Sequence, residues 1–125
     1  MSILIRVAGP RGRLAATQLR RAVFVSELGQ DTDVVFDGRD AESLLIIASE
    51  AETPIASARL LIEMGDDDME RAEMAWLAVL PEHRRKGIGI AVLNALESEA
   101  LRRGLDALWC ACLLYTSDAA DDSLR

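Results

Sequence analysis

The chain has 125 residues and carries 14 basic against 21 acidic side chains, for a formal net charge of −7. That is the length of one domain, since domains centre on roughly 100–150 residues, and it leaves no room for two. Half of the residues are hydrophobic and 28% are charged, the balance of a globular protein with enough apolar mass for a core. The acidic excess disfavours nucleic acid and anionic membranes, no apolar run nears the roughly 18 residues of a bilayer span, and the N-terminus lacks a signal-peptide layout, so the expected compartment is the cytoplasm.

Residues 2–8, SILIRVA, read as a short strand broken by Gly9-Pro10. Across 14–28 the apolar residues Leu14, Leu19, Ala22, Val23 and Phe24 recur at helical spacing, and Gly29 is a stop signal. Residues 30–42 are acidic and carry a turn at Asp37-Gly38, which predicts a loop with one helical turn at most. The runs 43–50 and 55–63 are rich in strand formers and are separated by a segment ending in Pro54, a strand border, so a hairpin is expected. After the charged connection 65–71, a third long apolar stretch, 72–80, ends at Pro81.

Residues 87–103 form the clearest helix: Ile88, Val92, Ala95, Leu96 and Ala100 make one stripe, Arg102 and Arg103 fill the last turn, and Gly104 supplies the stop. Residues 105–112 then read as a buried strand in which Cys110 and Cys112 pack rather than form a disulfide or a zinc pair. Three antiparallel strands followed by a helix crossing to another strand give a mixed α/β (α+β) sheet whose last two strands can run parallel.

The chemistry concentrates at Pro81-Glu82-His83-Arg84-Arg85-Lys86-Gly87-Ile88-Gly89, a basic turn with two glycines between a strand and a helix start. A helix start offers unpaired N–H groups and roughly half a positive charge, glycines let a ligand approach the backbone, and the three cations add charge. This is the densest basic run in an acidic chain, and a Debye length of about 8 Å lets it act locally. A diphosphate suits it. A Rossmann site would need a third glycine where Val92 stands.

The segment Arg84-Arg85-Lys86-Gly87-Ile88-Gly89 resembles the signature of the GNAT superfamily of acyl-CoA-dependent N-acetyltransferases, an Arg or Gln, two residues, Gly, one residue, then Gly or Ala. The resemblance extends back through Leu77–His83 and forward to Gly104, and Arg21-Ala22-Val23-Phe24-Val25-Ser26-Glu27 looks like the first-helix pattern of one bacterial subgroup. It implies a GNAT-like fold over residues 1–112 and acetyl-CoA as co-substrate. It further implies that the amides of Arg85, Lys86, Gly87, Ile88, Gly89 and Ile90 hold the pyrophosphate, with Arg84 adding charge, and that the main chain of Leu77 and Val79 pairs with the pantetheine arm. The Leu77 N–H would polarise the thioester carbonyl while a primary amine attacks directly, with no metal and no covalent enzyme intermediate.

Glu63 and Glu73, on strands lining the implied cleft, are the carboxylates able to serve as general base, and both can equally be solvated residues. His83, the only histidine, is expected at the surface, and Asp66-Asp67-Asp68 is expected to be a solvated hairpin tip, since consecutive acids lack liganding spacing. Trp76 and Phe36 stand where the subgroup often carries Arg and Glu, which admits a second reading, a non-catalytic CoA-binding or interaction module. The expected acceptor is a small amine or an amino terminus, and a homodimer is one of the assemblies open to the chain. Residues 113–125 resemble a translated sequencing adapter. The expectation is therefore a GNAT domain cut near Cys112, lacking its last helix and strands, with a non-native or disordered tail in which Tyr115 is no catalytic tyrosine.

Overall fold

A computed structural model describes residues 2–105 and the backbone of 107–110. The elements run β1 (Ile3–Val7), α1 (Pro10–Arg20), a π-helical segment (Arg21–Glu27), α2 (Thr32–Val35), a 3₁₀ turn (Asp40–Glu42), β2 (Ser43–Glu50), β3 (Thr53–Met64), β4 (Glu70–Val79), a second 3₁₀ turn (Pro81–His83), α3 (Ile88–Arg102) and β5 (Ala107–Cys110). The strands form one sheet in the order β1-β2-β3-β4-β5. The first three pairings are antiparallel and β4–β5 is parallel, as a helical crossover requires.

Several boundaries differ from the sequence reading. Gly9-Pro10 not only follows the end of β1 but starts α1, with Gly9 as N-cap and Pro10 in the first turn, where proline's missing N–H costs nothing. Helix geometry changes at Arg21, where Leu28 N–H reaches the Val23 carbonyl five residues back at 3.0 Å. The loop 30–42 contains two short turns, and Asp31 caps α2 by accepting from the Asp33 N–H at 2.8 Å. Pro54 lies inside β3, opposite Ser49 at a register shift, where an irregular ladder tolerates a missing donor.

Sheet alternation distributes the apolar residues to two faces. Ile46, Ala48, Leu60, Ala72, Met74, Leu77 and Val79 join Ile88, Val92, Leu96 and Ala100 of α3 in the main core, while Leu45 and Ile47 pack with Ala16 of α1. Strand β2 is therefore apolar on both faces, which is why it reads as a continuous run rather than an alternating one. The Asp66–Asp68 turn is a solvated hairpin tip, with Asp67 accepting from the Arg71 guanidinium at 2.6 Å. Among the described residues no cluster of His, Cys, Asp and Glu could hold a metal, and no helix is long and apolar enough to cross a membrane. Residues 111–125, with Cys112 and Tyr115, and the side chain of Cys110 lie outside the described residues.

Candidate active site

The centre of β4 is bulged. Ala75 lies opposite Arg59 and Ala78 opposite Ser57, so Trp76 and Leu77 together face the single residue Ala58. Trp76 takes a left-handed φ of 55°. The extra residue shifts the alternation, so that Ala75, Trp76 and Ala78 all join Val23, Phe24 and Val35 on the face opposite α3, while Leu77 and Val79 stay on the α3 side. The bulge is what turns Trp76 toward the helical segment: its ring meets Phe24 edge-on at 5.0 Å and 78°.

Below the bulge lies an open cleft of about 280 Å³, lined by Val34, Asp37, Arg39, Arg59, Leu61, Glu63, Glu73, Ala75 and Trp76. It brings together Glu63, Glu73 and Trp76, which the sequence analysis singled out separately. Glu63 is half exposed and paired with Arg39, whereas Glu73 is three-quarters covered and lies 3.9 Å from the Arg59 guanidinium.

The back of the cleft is an ionic network that the sequence reading missed. Arg59, 3% exposed, donates to both carboxylate oxygens of Asp37 at 2.8 and 3.0 Å and reaches Asp40 at 3.4 Å. Arg20, 2% exposed, donates to both oxygens of Asp40 at 2.9 Å. Burial pushes the Arg20 guanidinium below its ordinary pKa, with Asp40 opposing. Burial also lowers Arg59, but Asp37 and Asp40 outweigh it and the net shift is upward. The fork of Arg59 holds Asp37 below the usual carboxylate range. Phe36 roofs the network, with the guanidinium carbons of Arg20 and Arg21 at 5.4 and 4.7 Å from its ring centre. The signal for this network was Arg59 itself, a cation inside the apolar run of β3, where burial demands a counter-charge.

At the other end of β4 the chain passes through Pro81–His83 into the basic turn. Arg85 and Gly87 have left-handed φ of 64° and 77°, and a Cβ built on Gly87 meets no atom within 4 Å. The first bond inside α3 runs from the Ala91 N–H to the Gly87 carbonyl at 3.1 Å, so the amides of Ile88, Gly89 and Ile90 precede the intrahelical ladder. Gly89 is buried in this first turn. Arg84, expected to add charge for a diphosphate, directs its guanidinium to Glu27, with two bonds of 2.7 Å, and its Nε to the Val79 carbonyl at 2.9 Å. His83 is half-buried, and its Nδ1 is enclosed with no hydrogen-bond partner.

Residues 14–121 match the model of the acetyltransferase (GNAT) family. The chain belongs to the GNAT acetyltransferase family. This GNAT chain is 30% identical over 89 residues to the uncharacterized N-acetyltransferase YjcF of Bacillus subtilis strain 168, covering 71% of this chain and 60% of that protein. It thus spans about 60% of the length of that relative. The fold is shared with a GCN5-related N-acetyltransferase of Ralstonia eutropha, at a TM-score of 0.75 and 20% identity, over 96% of this chain and 90% of that one. A predicted acetyltransferase of Clostridium acetobutylicum, whose structure contains acetyl-CoA, superposes at a TM-score of 0.71 and 18% identity over 93% and 85% of the two chains. The GNAT assignment agrees with the mixed sheet and the glycine turn at the start of α3.

Proposed function

We propose that the protein transfers an acetyl group from acetyl-CoA to a primary amine, a small amine or an amino terminus. The observation that carries this reading is the turn from Arg84 to Gly89: two left-handed residues, open space over Gly87 and three helix-start amides converge where a diphosphate would sit. Ile88, Gly89 and Ile90 donate backbone N–H groups, and Arg85 and Lys86 supply the positive field. Leu77 and Val79, at and beyond the bulge, offer main-chain groups to the pantetheine arm, and the Leu77 N–H faces the thioester oxygen.

Acetyl-CoA supplies the electrophile, a thioester carbon to which the amine nitrogen bonds as the carbon–sulfur bond breaks. The chain's part is to hold and orient. The cleft of Glu63, Glu73, Asp37 and Trp76 receives the amine from the opposite side of β4, and its carboxylates favour an incoming ammonium. Glu73 is the better placed base of the two, because it lies deeper and is held by Arg59 only at 3.9 Å, whereas Glu63 is taken up by Arg39 at the rim.

Calorimetry with acetyl-CoA, followed by thiol release across a panel of amines, tests the reading. Saturable binding and amine-dependent release are expected. Binding without release on any amine would support the non-catalytic module, which the replacement of expected polar residues by Trp76 and Phe36 favours. Absence of binding by folded protein would remove the cofactor and the enzyme together.

A further inference from the structure

We infer that Glu27 is a positioning residue for the cofactor turn, acting through Arg84 from a segment that also packs behind Trp76 of the acceptor cleft. The inference rests on the acetyl-CoA reading above and adds to it a residue 57 positions away in sequence from the arginine it holds.

Three elements meet in the Arg84 side chain. Its two terminal nitrogens donate to the two oxygens of Glu27 at 2.7 Å, and its Nε donates to the carbonyl of Val79 at the end of β4. The fork-to-fork geometry fixes orientation as well as distance, which a lysine or a single hydrogen bond would not. The pair is only partly exposed, with side chains 17% and 35% accessible, so solvent screens it less than a surface pair.

The position of Glu27 makes little sense for the helix alone. A carboxylate at a helix C-terminus opposes the helix dipole, and Glu27 is the last residue of the π-helical segment. The Arg84 guanidinium supplies the compensating charge. It also precedes Arg85, a non-glycine residue held at a φ of 64°, and such conformations persist where the surroundings over-determine them. Anchoring Arg84 at three points constrains the backbone entering that strained residue, and so the direction of the amides that follow it.

The same segment carries Phe24, which packs on Trp76 at the acceptor cleft. One short helix therefore both backs Trp76 and holds Arg84. The wider π turn, which inserts a residue relative to α-helical winding, sets the angular offset between Phe24 and Glu27.

The test compares acetyl-CoA with S-acetylpantetheine, which keeps the thioester arm and lacks the diphosphate. Binding to the full chain is measured by calorimetry for wild type, Glu27→Gln and Arg84→Lys, with folding checked by circular dichroism. Both variants should weaken acetyl-CoA about tenfold, the size of one lost charge-assisted hydrogen bond, and leave S-acetylpantetheine within about twofold. Unchanged acetyl-CoA affinity in both folded variants overturns the inference, and so does an equal loss for the two ligands, which would mark a general structural role. If wild type binds neither ligand, the acetyl-CoA reading itself falls. Arg84→Lys keeps the charge and tests the fork separately should Glu27→Gln fail to fold.

Discussion

Phe24 and Trp76 meet edge to face at a centroid distance of 5.0 Å, and each is at most 5% exposed. The contact exists because the β4 bulge puts two consecutive residues, Ala75 and Trp76, on the same side of the sheet. It is the apolar hinge between the helical segment and the strand on which the proposed transfer takes place.

Trp76→Ala should therefore destabilise the fold by about 3–5 kcal/mol, the range for removing a large buried aromatic. Trp76→Phe should retain most of that stability by keeping a ring against Phe24. Urea unfolding of the two variants checks the order, and equal losses would show that the ring contact is not what matters.

The Arg59–Asp37 pair makes a pH prediction. Arg59 holds the Asp37 carboxyl below the usual carboxylate range, with burial opposing, while in the unfolded chain an aspartate titrates near about 3.9. The native state thus refuses a proton that the unfolded state accepts. The stability from this pair is present above the unfolded value and is lost as pH falls through the lower native value. Asp37→Asn should be clearly less stable than wild type at neutral pH, and the gap should narrow as pH drops below about 4. A gap independent of pH would rule out this origin.

Arg59→Leu should be the more damaging change, because it strips Asp37 and Asp40 of a cation that is itself 3% exposed. Removing one member of a buried pair costs about 3–5 kcal/mol, and the partial exposure of Asp37 places the expected value near the lower end. Chemical denaturation at neutral pH measures it.

The hairpin between β2 and β3 should be improvable. Its turn residues, Ala51 and Glu52, both take positive φ, 49° and 69°, a conformation that asparagine and glycine adopt with little strain. Ala51→Asn with Glu52→Gly should raise stability by about 1–2 kcal/mol without touching the site. A lower melting temperature would contradict this account of the turn.

Gly87 separates fold from function. Its φ of 77° penalises any side chain, but the space around it is open. Gly87→Val should cost the fold about 1 kcal/mol from backbone strain, and should weaken acetyl-CoA by more than tenfold by placing a branched side chain over the amides. Gly87→Asn should be milder on the fold, since asparagine tolerates the left-handed region. Paired unfolding and calorimetric titrations distinguish the two effects.

The elements with strong local patterns were legible before the structure was seen. The stripe Ile88, Val92, Leu96 and Ala100 gave α3 to within a residue or two, and the glycines of the basic turn located the start of the helix. What escaped depends on partners distant in sequence. Nothing near Arg84 points to Glu27, a partner 57 residues away. The buried pairs of Arg20 and Arg59 draw their acids from the irregular stretch 30–42, where composition predicts solvation. The bulge escaped because Trp76 and Leu77 are both apolar, and a run of apolar residues reads the same whether or not one of them is extra.

In the described sheet every strand lies beside the one that precedes it along the chain. A chain emerging from the ribosome N-terminus first can extend this sheet by edge addition, with no strand threaded between two that are already paired. The groups of the acceptor cleft all lie at or before Trp76, so its ionic floor draws on no residue of the cofactor turn. Helix α3 follows in sequence and covers the other face of the sheet, and β5 pairs along the edge of β4. Along the chain, the proposed place for the amine is thus complete before the proposed place for the acyl donor begins.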